Sequence, residues 1–382
     1  MAVHSHKGFE LLRIIAMFFI VCHHYLVHGG ILQQQVLTGN FILAWGLDAF
    51  AYVGVNCFVL LTGYFMSMQD TYANMNRIWK KLGKLWIIVL FYSIGGVIVG
   101  LFAGEHIGLK MVVQTLLPIR FNEWWFLSSY AGLLVLSPFL NQWIQGFSKC
   151  AYVKFLMVLI GIFSLYSCVG DTFHANGGSS LVWFIVLYSI GGYLRKYDIS
   201  FPTAKLFMAY LGVSLLIWLC KISIDYAFYW KLGHLYKNAL YPYASVYAYN
   251  SLTLLASSVA LFLMFKNTRI HNSYISRLIS YVSPLTLGIY LIHEHPLIRD
   301  WLWHTVIQTQ SVYDSPWFII CFAGSSILVF VGAAWIEKGR QCLFIYVGNH
   351  LPDSVYQSFS VLREKAACFT RLMINRAMKY GK

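Results

Sequence analysis

The feature that most constrains this chain is a succession of apolar runs, each close to the length that crosses a bilayer. A hydrocarbon core of about 30 Å needs roughly 20 apolar residues in a helix. Ten such runs can be marked, at 10–30, 41–66, 84–104, 124–144, 153–169, 181–195, 205–222, 246–265, 281–303 and 316–337. The fifth and sixth are the shortest. The connections between runs leave no room for a soluble domain. The expected fold is therefore all-α: a polytopic integral membrane protein of about ten transmembrane helices.

Composition points the same way. Apolar residues make up 59% and charged residues only 11%, against about 25% charged in ordinary globular domains. A soluble protein so poor in charge could not cover its own surface. The net charge of +14 would suggest nucleic acid in a soluble domain, but membrane proteins concentrate Lys and Arg in cytoplasmic loops. With Arg13 set aside inside its run, loops on one side of the ten-span layout hold six basic residues and the other side twenty-one. The excess includes both ends of the chain, so both termini are expected in the cytoplasm of a cell-membrane protein, with no nucleic-acid partner. No small-residue cleavage site follows the first run, which reads as a retained span and not a signal peptide. The eight cysteines are scattered without metal-binding or redox spacing, so neither a disulfide framework nor a metal site is expected. Residues 1–340 form the expected membrane domain. Residues 341–382 read as a basic amphipathic tail lying along cytoplasmic lipid.

Ionisable side chains inside apolar runs are costly and mark sites by default. In "RIIAMFFIVCHH", Arg13 and His24 are eleven residues apart, about three helical turns, and share one stripe roughly 16 Å apart along the axis. His23 points about 100° away. Arg13 falls near the cytoplasmic surface and His24 in the outer half of the bilayer. Asp48 and the "IHEH" stretch, with His293 and Glu294, fall at similar depth to His24. An imidazole beside a carboxylate is a general base with a fixed tautomer, so Asp48 and Glu294 compete as the partner of His24. Snorkelling of Arg13 and plain interhelical hydrogen bonds are the bland alternatives.

Two further groups are weaker signals. "RIWKKLGK" carries Arg77, Lys80, Lys81 and Lys84 at the depth of Arg13. These could hold phosphates or serve only topology and anionic lipid. On the outer side, Trp124 and Trp125 follow Glu123, and residues 226–249 contain seven tyrosines, Tyr241 and Tyr243 among them. Exposed rings of this kind suit a sugar face, though an interfacial aromatic belt explains them equally.

Four stretches together resemble acyltransferase family 3, the membrane-bound O-acyltransferases that modify surface polysaccharides. They are "FELLRIIAMFFIVCHHY", "GVNCFVLLTGYFM", "WWFLSSYAGLLVLSPFLN" and "LGIYLIHEHPL", spread in order over residues 9–300. Thr62 stands where many members have Ser, and Asn56 where many have Asp. The resemblance implies transfer of an acyl group, commonly acetyl from cytosolic acetyl-CoA, to a sugar hydroxyl. It makes His24 the catalytic histidine, Arg13 its motif partner, and His293 a recurrent position. Acyl-CoA would then be a co-substrate on the cytoplasmic side, with a carbohydrate acceptor, free or lipid-linked, and no tightly bound cofactor. The rivals are a transporter or exporter whose buried His, Asp and Arg relay protons, and a non-catalytic subunit of a glycan-synthesis complex.

Overall fold

The computed structural model describes residues 7–34, 36–69, 75–102, 104, 108–168, 171, 173–232 and 246–350. Among them every regular element is a helix. The first eight are α1 (Lys7–His28), α2 (Gly39–Ala51), α3 (Gly54–Met66), α4 (Met75–Phe102), α5 (Leu109–Leu116), α6 (Trp125–Gly146), α7 (Lys149–Ile160) and α8 (Leu181–Lys196). There follow α9 (Thr203–Leu232), α10 (Leu252–Asn267), α11 (Ser273–Val282), α12 (Thr286–His293), α13 (Pro296–Asp300), α14 (Thr309–Tyr313) and α15 (Phe318–His350). The chain divides into a large compact unit, residues 1–334, and a second, residues 335–382. In the second unit Arg340 clasps Glu337 through two hydrogen bonds of 2.6 and 2.8 Å. From residue 351 onward the expected tail lies outside the described residues.

Among the described residues six segments are long and apolar enough to cross a membrane: Lys7–His28, Gly39–Met66, Arg77–Phe102, Thr203–Lys231, Ser273–His293 and Phe318–Val347. The other four expected runs fall on α6, α7, α8 and α10, which are shorter or more polar. The structure thus establishes an all-helical protein with six candidate spans, and not the count of about ten. Large apolar side chains such as Phe102, Met208, Ile320 and Leu328 are exposed, as they are in a chain whose outer surface meets hydrocarbon.

Several expected boundaries move, for local reasons. The run 41–66 is two helices, α2 and α3, meeting at Tyr52–Val53. The basic cluster does not precede its helix but lies on it, because α4 starts at Met75 and Lys and Arg are good helix formers. Helix α9 reaches Leu232, past the end of the run 205–222, which puts Tyr226, Tyr229 and Trp230 exposed on a helix. The run 281–303 is broken most severely. A 3₁₀ turn at Ser283–Leu285 precedes α12, and Pro296, which lacks an N–H and cannot continue a helix, stands at the first position of α13. Glu294 therefore caps α12 and His295 caps α13, where His295 Nδ1 accepts from the Leu297 amide at 3.2 Å.

Close packing holds the site's frame. A Cβ at Gly63 would collide with the Tyr188 carbonyl, and one at Gly191 with the Leu60 carbonyl. Helices α3 and α8 thus meet backbone to backbone, the small-residue contact that membrane helices use. Pro138 inside α6 leaves the Leu134 carbonyl without its helical donor, and the Ser137 hydroxyl supplies one at 2.8 Å. Buried Asn141 donates to the Met66 carbonyl at 2.8 Å and accepts from Tyr188 at 2.5 Å. These bonds tie α6 to the end of α3 and to α8 where no water can substitute.

Candidate active site

Helix α1 carries the centre of the site. His24 is buried, and its Nδ1 lies 2.9 Å from Nε2 of His293. The other nitrogen of His293, Nδ1, is 2.5 Å from the Ile289 carbonyl one turn back on α12. A carbonyl only accepts, so His293 Nδ1 carries hydrogen and its neutral ring presents a bare Nε2. His24 Nδ1 must then donate, and the remaining ring nitrogen of His24, Nε2, holds a lone pair. That is the tautomer a general base needs.

Glu294 completes this cluster. Its Oε1 is 3.3 Å from Arg299 Nη1, and its Oε2 is 3.2 Å from His24 Nδ1 and 3.0 Å from His28 Nε2. Oε2 nevertheless lies off the hydrogen-bonding direction of both rings. A buried carboxylate needs an opposite charge, and Arg299, brought in by α13 after the proline break, provides one.

Asp48 takes a different partner from the one expected. It is fully buried at the last turn of α2, with Oδ1 2.7 Å from His23 Nδ1 and Oδ2 accepting from the Tyr247 hydroxyl. The helical phase explains this: His23 turns towards α2 while His24 turns towards α12. Of the two carboxylates, Glu294 is beside His24 and Asp48 is beside His23. Tyr52 stacks on Tyr249 and Tyr247 at ring separations of 4.3 and 5.1 Å and closes off this second pair.

At the other end of the stripe, Arg13 Nη1 is 3.2 Å from the Ser283 hydroxyl in the 3₁₀ turn. Arg13, Lys81, Lys84 and His24 line one cavity of about 440 Å³. Between them its wall is largely apolar, with Met17, Ile20, Phe58 and Leu287, and near His24 it includes Trp125, Tyr249 and Tyr290. Arg77 and Lys80 are exposed on α4 and do not line it.

The aromatic expectations divide. Trp125 is in the cavity wall, 5.8 Å from Tyr249 by ring centroid. Trp124 is buried against His295, at 5.3 Å, and does not line this cavity. Tyr241 and Tyr243 lie outside the described residues. Glu123, ahead of α6, is not in the cavity wall, and its partial burial pushes the carboxyl above the usual carboxylate range. Sequence reasoning missed His28, Arg299 and Ser283. His28 was findable, since it follows His24 by four residues on the same helical face. Arg299 and Ser283 owe their places to the two breaks around α12.

No curated protein and no solved structure is significantly similar to the chain. The family model described as an acyltransferase domain matches residues 6–335, nearly the whole described length. The chain belongs to acyltransferase family 3, the family that four stretches of its sequence resemble.

Proposed function

We propose that the chain moves an acyl group, acetyl foremost, from acyl-CoA to a hydroxyl of a surface glycan or its precursor, with His24 as the general base. The observation that carries this reading is the single cavity shared by Arg13, Lys81, Lys84 and His24. Two chemistries meet in it: cations able to hold phosphate, and a base with its lone pair fixed. Their spacing along α1, roughly 16 Å, is of the order of an extended pantetheine arm. CoA phosphates rest on Arg13 and the lysines, and the thioester reaches His24.

Transfer then runs in balanced steps. The acceptor hydroxyl gives its proton to His24 Nε2 as its oxygen attacks the thioester carbonyl. The tetrahedral intermediate expels the CoA thiolate, which recovers that proton from the imidazolium. Glu294, 3.2 Å from His24 Nδ1, favours the imidazolium in between. An acyl-His24 carrier is the covalent variant of the same site. Trp125 and Tyr249 offer ring faces to a sugar, joined in this reading by Tyr241 and Tyr243.

Loop charge supports a layout with the Arg13 end cytoplasmic and His24 outward, with α6, α7, α8 and α10 completing ten crossings of the cell membrane. The test is direct. Membranes supplied with labelled acetyl-CoA should label a glycan, identified by mass spectrometry, and His24→Ala should abolish the label. Undiminished labelling by His24→Ala would end the proposal. An acetylated His24 trapped by peptide mapping would replace direct attack with the covalent route.

A further inference from the structure

The cluster around His24 holds one group that acyl transfer does not use. His28 stands one helical turn beyond His24 on α1, and both rings meet the same oxygen of Glu294. We infer that His24 Nδ1, His28 Nε2 and Glu294 Oε2 form a binding site for a divalent transition-metal ion, with zinc the best match.

Three observations carry this. The donor set is two imidazoles four residues apart on one helix face plus one carboxylate, the set that three-ligand zinc sites use with a fourth position open. The spacing also fits. Bonds of about 2.0–2.1 Å in a tetrahedron place neighbouring ligand atoms about 3.3 Å apart. Here the oxygen is 3.2 Å from one nitrogen and 3.0 Å from the other, close to that edge; the ligand atoms of the three residues lie within 4.8 Å of one another, so the two rings draw together to complete the triangle around an ion. Finally, Glu294 Oε2 is buried and close to both ring nitrogens, yet off the N–H direction of each. An oxygen so placed is arranged as one ligand beside two others and not as the acceptor of their hydrogen bonds.

The surroundings supply Glu294 with an outer partner. Arg299 binds Oε1 and leaves Oε2 free to face the rings. The same guanidinium repels a cation, so the site should bind reversibly and not as a permanent structural ion. His293 Nε2 is 2.9 Å from His24 Nδ1 and can supply the fourth ligand in place of water. When the ion takes His24 Nδ1, the ring proton moves to Nε2 and the lone pair there is lost. If His24 is the base of acyl transfer, the reading on which this second half rests, the metal-loaded protein is inactive.

The experiment uses the purified full chain in detergent, titrated with Co²⁺. The wild type should give the visible ligand-field band of four-coordinate cobalt, saturating at one equivalent and erased by Zn²⁺. His28→Ala and Glu294→Gln should lose the band while keeping the wild-type elution volume and helical circular dichroism. A wild type with no band beyond that of His28→Ala overturns the site, and so does a band that survives in both variants. Acyl transfer is assayed in parallel with and without Zn²⁺. Inhibition reversed by a chelator is expected. A cobalt band with transfer untouched by Zn²⁺ leaves the metal site standing and removes His24 from the role of base. No transfer in the metal-free protein counts against the acyl-transfer reading alone.

Discussion

His24 and His293 face each other nitrogen to nitrogen, Nδ1 2.9 Å from Nε2, and the Ile289 carbonyl behind His293 decides the direction of every proton between them. In the proposed reading His293 is thus a positioning residue that holds the lone pair of His24 where an acceptor hydroxyl can meet it. His293→Phe keeps a ring but deletes the acceptor. It should lower kcat by about 10- to 100-fold, the range found when the outer partner of a functional imidazole is lost, with KM for acyl-CoA unchanged. His293→Gln, whose side-chain carbonyl still accepts, should recover part of the loss. Steady-state transfer assays on the three proteins check this.

The two ends of the cavity should separate kinetically. If Arg13 binds substrate phosphate as proposed, it does so in ground and transition states alike, so Arg13→Ala should raise KM for acyl-CoA and leave kcat nearly intact. Arg13→Lys should lie between. His24→Ala should instead lower kcat by about 10²- to 10⁴-fold, the usual contribution of a positioned base. Parallel losses of kcat in both variants would mean that Arg13 acts at the chemical step.

The two buried carboxylates should also part company. Glu294 lies against His24, whereas Asp48 is engaged by His23 and Tyr247. Glu294→Gln should therefore depress kcat more than Asp48→Asn. Asp48→Asn weakens two charge-assisted hydrogen bonds, each worth about 1.5–3 kcal/mol, and should show chiefly as a lower melting temperature in detergent. The comparison needs only transfer rates and thermal unfolding on matched preparations.

These contrasts also show what could be read before the fold was seen. Helical phase alone separated His23 from His24 and joined Arg13 to His24, because eleven residues return to one face of α1. The caps at Thr38, Ser148, Ser180, Ser251 and Asn272 begin helices as their side chains dictate. Depth arguments did less well. Asp48 and Glu294 fall at similar depth, and only the packing of α2 against α1 and the proline break after α12 assign one to each histidine. Arg299 was counted as loop charge, since nothing local tells that Pro296 folds it back onto Glu294. In the cationic cluster, Arg77 shares the face of Lys81 and Lys84 on α4 but lies a turn short of the cavity wall that these two line, and Lys80 does not line it either.

The last prediction concerns Asn56, which stands where many family members have Asp. It is fully buried in α3, where its amide donates to the Tyr249 carbonyl at 2.8 Å and its oxygen accepts from Trp183 Nε1 at 3.1 Å. One side chain thus joins α8 to the segment that carries Tyr249 into the cavity. An amide donates and accepts at once, which an ionised carboxylate cannot do. An ionised Asp at this position would keep the Trp183 bond but turn a second oxygen on the Tyr249 carbonyl, leaving two acceptors face to face. Asn56→Asp should therefore destabilise the protein by about 1–3 kcal/mol, the cost of a buried polar group left unsatisfied. Asn56→Leu, which strands both partners, should cost more. Because Tyr249 also lines the cavity, Asn56→Asp should raise KM for the acceptor while leaving KM for acyl-CoA unchanged. A variant as stable as wild type with both constants unchanged would mean that the Tyr249 segment is held by its ring stacking on Tyr52 and not by Asn56.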